Sequence, residues 1–166
     1  RDLGAYLNEH DGVILDGGEC SVGVESTIVL ATGDAPVILR SGALTAKDVE
    51  RITGLTVQTK ATASPRVSGS LDSHYAPDAK VLIVAEEQLD EYSLTENCGL
   101  IAPASVATPG ALIRIFNPAN DEEYAHGLYS ALRSADDRGL HTVLVVMPDS
   151  DGIAVAIRDR LARAAH

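Results

Sequence analysis

The chain has 166 residues, 45% hydrophobic and 22% charged, which is room for one ordinary domain or for a small domain and a piece of another. Its formal net charge of −11 repels phosphate backbones, so direct nucleic-acid binding is disfavoured, and with no tryptophan it offers no ready base-stacking platform. No apolar run approaches the ~20 residues that span a bilayer and no secretory signal opens the chain, so a cytoplasmic protein without a membrane partner is expected.

Residues 2–8 read as the end of a helix, and residues 13–15 as a short strand stopped by Asp16-Gly17-Gly18. Residues 26–31 are a β-rich run. Thr32-Gly33-Asp34-Ala35 has turn chemistry and residues 36–39 are a second strand, so the pair predicts a β-hairpin. Thr45-Ala46-Lys47-Asp48 is a helix-start box, predicting a helix with Val49 and Ile52 facing inward and Gly54 at its end. Residues 55–57 predict one more strand. Residues 1–59 hold too few helices to cover a sheet and are too short to stand alone, so they read as the remnant of a larger α/β domain. The start at Arg1 rather than at a methionine fits a processed or incomplete chain.

Residues 60–77 have no period of 2 or 3.6 and read as a linker, reaching about 55 Å if extended at roughly 3.3 Å per residue. Its Arg66, His74 and Tyr75 are unlike a passive Gly/Ser spacer.

Residues 78–166 alternate strand and helix. Strands are predicted at 81–85, 99–102, 111–116 and 143–147, with a short helix at 86–92. Asn120-Asp121-Glu122-Glu123 starts a helix whose Tyr124, Leu128 and Leu132 form one buried stripe, closed by Gly139. Ile153, Ile157 and Leu161 mark a last helix, with Arg158, Arg160 and Arg163 toward its end. This pattern predicts an open, mostly parallel, Rossmann-like sheet with helices on both faces.

Generic chemical motifs are scarce. No Gly-x-Gly-x-x-Gly follows a strand, there is no phosphate loop, and no nucleophile elbow frames a serine. The histidines show no metal spacing, and Cys20 and Cys98 read as reduced, mostly buried thiols. Three local features stand out. Glu25-Ser26-Thr27 opens a strand where hydroxyls can hold a small polar ligand, or can simply finish a β-bridge and turn. Arg40, before Ser41-Gly42, can pair with phosphate in a forked geometry, or can make an ordinary surface ion pair. The third feature is the linker's Ser64-Pro65-Arg66 with His74-Tyr75-Ala76-Pro77. From residues alone, the chain is a soluble α/β protein with an arginine able to bind an anion.

The combination resembles a known family. The run from Asp16 to Val29, followed by Pro36-Val37-Ile38-Leu39-Arg40-Ser41-Gly42, resembles the closing part of a YrdC-like domain. Ser64-Pro65 with His74-Tyr75-Ala76-Pro77 resembles the interdomain linker of the long, two-domain threonylcarbamoyl-AMP synthases. Residues 156–161 resemble the end of their smaller C-terminal domain. The resemblance implies a division into residues 1–59 (the end of the YrdC-like catalytic domain), 60–77 (a linker that acts as a lid) and 78–166 (the C-terminal α/β domain).

It also implies an activity: threonylcarbamoyl-AMP and pyrophosphate made by a nucleotidyltransferase from L-threonine, bicarbonate and ATP, with Mg2+ accompanying the nucleotide. Downstream tRNA-modifying proteins would take the product. Ser26, with Thr27 second, is then expected beside threonine or its carbamate. Arg40 is expected on the nucleotide phosphates, with Tyr75 and His74 in the linker over the nucleotide. The family's basic signature and most of its threonine-binding residues have no counterpart here, so most catalytic residues are expected upstream of residue 1 and the 166 residues alone are expected to be inactive. Arg66-Val67 also departs from the Gly-Met common in family linkers, and no role is carried onto Arg66. The alternative is a non-catalytic α/β regulatory module that binds a nucleotide or another small molecule.

Overall fold

The computed structural model describes residues 15, 18, 20–58, 64–68 and 76–165. The expected helix end at 2–8 and most of the strand at 13–15 fall outside them.

The predicted hairpin is present. Strands β1 (Ile28–Leu30) and β2 (Val37–Arg40) pair antiparallel, with Ile28 opposite Arg40 and Leu30 opposite Val37. Helix α1 (Ala46–Thr53) begins with the predicted reciprocal cap. The Thr45 hydroxyl accepts from the Asp48 N–H at 3.2 Å, and the Asp48 carboxylate accepts from the Thr45 N–H at 3.0 Å. Its expected inward face is not found. No α1 residue is buried, and Ile52 is 70% exposed because nothing among the described residues covers it. The strand expected at 55–57 shrinks to one parallel bridge between Val37 and Gln58.

Strands β3 (Lys80–Ile83), β4 (Cys98–Ile101), β5 (Ile113–Phe116) and β6 (Thr142–Val145) form one parallel sheet in the order β3-β6-β4-β5. Because side chains alternate along a strand, β6 serves two cores. Val143 and Val145 meet helices α2 (Asp121–Asp137) and α3 (Ala154–Ala164) on one face. Leu144 and the following Val146 meet Leu89, from a 3₁₀ helix at Glu86–Tyr92, on the other. Both faces are therefore helix-covered, as the alternation predicts. Each fully buried aliphatic side chain contributes ~1.5–3 kcal/mol. Tyr124, Leu128 and Leu132 are the buried stripe of α2, and the Tyr124 hydroxyl donates to the Val146 carbonyl at 3.0 Å. Cys98 is buried in this sheet, whereas Cys20, expected to be buried, is exposed because it lies in the loop before the hairpin.

The segment leading into the hairpin is anchored on the sheet's helical face. Val24 joins the core beneath α2 and α3. Gly23, at φ 77°, lies so close to α2 that a Cβ there would sit 2.1 Å from the His126 Cα. Only glycine lets the backbones approach this way. Among the described residues, no helix is long and apolar enough to cross a membrane.

Candidate functional site

Antiparallel pairing brings the residues before β1 and the end of β2 to the same open end of the hairpin. There Arg40, half-buried, gathers three neutral oxygens. Its Nε donates to the Ser26 carbonyl at 3.0 Å and an Nη to the Ser26 hydroxyl oxygen at 3.2 Å. The other Nη donates to the Ser68 carbonyl at 2.8 Å, bringing the 64–68 stretch of the linker over the hairpin end. No carboxylate among the described residues neutralises this guanidinium. The fork is thus held by dipoles while its charge stays available to an anion. Since the Ser26 oxygen accepts from Arg40, its own O–H is turned away from the guanidinium and can donate to a ligand.

Thr27 is placed differently. Its hydroxyl donates to the Leu44 carbonyl at 2.8 Å and accepts from the Leu44 N–H at 3.1 Å. Both capacities pin the turn that follows β2. His74 and Tyr75 lie outside the described residues. The structure thus brings Ser26, Arg40 and the linker together, with Thr27 as a brace beside them.

Behind this end lies a buried polar network that the sequence did not single out. Arg160 of α3 has a side chain only 3% exposed. Its Nε donates to the Glu25 carboxylate at 2.7 Å and an Nη to the Ser41 carbonyl at 3.0 Å. The remaining Nη pairs with Asp159, which also binds Arg163 at 3.0 Å. The Tyr129 hydroxyl from α2 donates to the same Glu25 oxygen at 2.8 Å. Burial alone would raise the Glu25 carboxyl, but the hydrogen bonds from Arg160 and Tyr129 outweigh it and hold the group below its ordinary value. Burial, and then the Glu25 carboxylate, push the Tyr129 phenol up. The sequence did carry one signal of this network. On α3, Ala156, Ile157, Leu161 and Ala164 are buried, and Arg160 falls on the same stripe. A charge placed there requires a partner.

A cleft of about 480 Å³ opens beside the site, between the turn after β2 and the start of α3. Ser41, Gly42 and Leu44 line one side and Gly152 and Val155 the other, and Lys47 reaches Asp151 across it at 2.9 Å. Among the described residues, no three His, Cys, Asp or Glu side chains are grouped to hold a metal ion.

With that geometry in view, the chain can be compared with known proteins. The family described as "Threonylcarbamoyl-AMP synthase, C-terminal domain" matches residues 44–166. Curated relatives called threonylcarbamoyl-AMP synthase are 30% identical in Schizosaccharomyces pombe, Pyrococcus abyssi and Bacillus subtilis, over 92%, 91% and 92% of this chain. Coverage that high runs through Ser26 and Arg40. The chain spans 45%, 48% and 48% of those relatives, about half their length. A crystal structure of P. abyssi Sua5 complexed with L-threonine superposes with a TM-score of 0.76 at 27% identity, over 90% of this chain and 48% of that one. A second P. abyssi Sua5 structure, with a histidine and the adjacent tyrosine both replaced by alanine, gives 0.73 at 25% identity, over 90% and 47%.

Proposed function

Starting from the fact that the chain belongs to the threonylcarbamoyl-AMP synthase C-terminal domain family, we propose that it works as part of a nucleotidyltransferase making threonylcarbamoyl-AMP and pyrophosphate from L-threonine, bicarbonate and ATP. The observation that carries this reading is the Arg40–Ser26–Ser68 cluster at the open end of the hairpin. It joins a cation, an outward-turned hydroxyl and the linker at one point.

Each residue has a task that its geometry can perform. Arg40 pairs in a fork with the nucleotide phosphates, exchanging one or more of its carbonyl acceptors for charged oxygens, which bind more strongly. Ser26 donates its O–H to the threonine carboxylate or to the carbamate formed from bicarbonate. Thr27 serves the same place second-hand, by holding the adjoining turn through Leu44. The reaction joins a carbamate oxygen to the α-phosphorus while pyrophosphate leaves. Such a displacement needs fixed charge and alignment rather than a covalent nucleophile. Mg2+ enters with ATP as part of the substrate.

In this reading the linker is a lid that keeps water from a hydrolysable adenylate. Its Ser68 carbonyl already rests on Arg40. Alanine replacement of His74 and Tyr75, an adjacent His–Tyr pair like the one replaced in the second P. abyssi structure, tests their expected place over the nucleotide. The product would pass, in the cytoplasm, to the proteins that modify tRNA, and the acidic chain would not hold tRNA directly. The described residues supply one wall of the pocket, and the 166 residues by themselves are expected to make no product.

Calorimetry and mass spectrometry on the full-length protein separate this reading from a regulatory module. Binding of ATP together with threonine-dependent formation of the adenylate supports it. Tight ATP binding with no adenylate, in a folded protein, favours the module.

A further inference from the structure

We infer that Arg160 of the C-terminal domain is a positioning residue for the site at the hairpin's open end. The inference rests on reading Ser26 and Arg40 as that site. Arg160 hydrogen-bonds neither residue: its guanidinium donates to Glu25, Asp159 and the Ser41 carbonyl. It binds their immediate neighbours, Glu25 in the segment before β1 and Ser41 just after β2, through one guanidinium. Glu25 precedes Ser26 and Ser41 follows Arg40, so a single rigid fork sets the spacing between the two functional groups from behind.

The backbone is built to depend on that spacing. At Gly42 a Cβ would lie 2.4 Å from the Thr27 nitrogen and 2.5 Å from the Glu25 carbonyl oxygen, so the two strand ends are already in contact. Tyr129 adds a second donor to the Glu25 oxygen that Arg160 holds. The carboxylate therefore receives both donors from the helical layer, one from α2 and one from α3. Position on this stripe of α3 otherwise calls for an apolar side chain, since Ile157 and Leu161 beside it are fully buried. A merely stabilising role would be filled as well by a hydrophobic residue. The exposed Lys47–Asp151 pair, with side chains 81% and 86% exposed, cannot substitute, because water screens it. The C-terminal domain thus contributes to the reaction by fixing the distance between a phosphate-binding arginine and a threonine-binding serine.

The test uses Arg160→Ala, Arg160→Lys and Leu89→Ala in the full-length protein. Leu89 is equally buried, but on the opposite face of the sheet. For Arg160→Ala, faster amide exchange is expected at residues 24–27 and 41–44 while β3 to β6 stay protected. Its kcat/KM for ATP and threonine is expected to fall about 10- to 100-fold, because small misplacements are costly. Arg160→Lys keeps the charge without the fork and is expected between Arg160→Ala and the parent. Leu89→Ala is expected to melt earlier yet keep kcat/KM in its folded fraction within about twofold. Unchanged exchange at 24–27 and 41–44, or kinetics in Arg160→Ala no worse than in Leu89→Ala, overturns the inference. If Arg160→Ala does not fold, Arg160→Lys and Tyr129→Phe carry the same comparison. Unaltered turnover in Arg40→Ala overturns the site reading instead, and the exchange pattern still decides whether Arg160 holds the strand ends.

Discussion

Replacing Gly42 by alanine adds one methyl group where three backbone atoms already sit. The new Cβ would lie 2.4 Å from the Thr27 nitrogen, 2.5 Å from the Glu25 oxygen and 2.7 Å from the Ser26 carbonyl carbon. Ordinary contact begins at 3.4 Å, so relief requires a shift of 3.4 − 2.4, or 1.0 Å. None of the three is the tip of a flexible side chain, so the strand ends themselves must part. The same shift would take the 3.0 Å bond between Arg160 and the Ser41 carbonyl to a distance at which no hydrogen bond remains. Overpacking costs ~1–3 kcal/mol, and losing a buried bond to a charged group costs about as much again. The expected destabilisation is therefore about 2–6 kcal/mol. At ~2–4 °C per kcal/mol for a chain of this size, the melting temperature should drop by several degrees or more. Circular dichroism melts of parent and variant read it directly. Gly54→Ala is the comparison, because a Cβ there meets nothing within 4 Å and only the φ of 71° opposes it, at roughly 1–2 kcal/mol. If Gly42→Ala melts with the parent, or higher than Gly54→Ala, the packing of the two strand ends is not as described.

Glu25→Gln should change the acid limb of stability. The folded carboxyl titrates below its ordinary 4.5, so its contribution is full above that value and is lost as pH falls through the lower folded value. Melts of parent and variant should therefore differ most near neutrality and converge in acid, and a difference that grows on acidification would refute the assignment. Thr45→Ala removes the cap of a helix that buries nothing, so the loss should be local, about 0.5–2 kcal/mol. Amide exchange confined to residues 46–53 would show it, and spreading of exchange into β3 or β6 would contradict it.

The parts of the fold that were legible are those where one local pattern decides. The turn between residues 32 and 35 with apolar runs on either side gave the hairpin, and Tyr124, Leu128 and Leu132 at a spacing of four gave the buried face of α2. The parallel sheet followed from strands alternating with helices. Ile52 was misplaced because its spacing with Val49 describes an amphipathic helix whether or not anything covers it. Ser26 and Arg40 were visible as types at strand ends, but their joining depends on a hairpin register that shifts between Ile28 and Val29. Thr27 was expected at the same place as Ser26, second to it, because composition does not reveal that its hydroxyl is spent on Leu44. The Glu25–Arg160 pair was out of reach, since its partners are 135 residues apart and nothing short of the packed structure joins them. The hint was an arginine on the apolar stripe of α3, and it identified a residue in need of a partner without identifying the partner.

In the proposed function this chain helps to make a threonine-dependent adenylate, with Arg40 on the phosphates. Mass spectrometry of the full-length protein with ATP, Mg2+, bicarbonate and L-threonine tests it most directly, with Arg40→Ala run alongside. The expected product is a species of the mass of threonylcarbamoyl-AMP that disappears when threonine is omitted, with a fall of about tenfold or more in Arg40→Ala at limiting ATP. A folded parent protein that binds ATP yet yields no such species would contradict it.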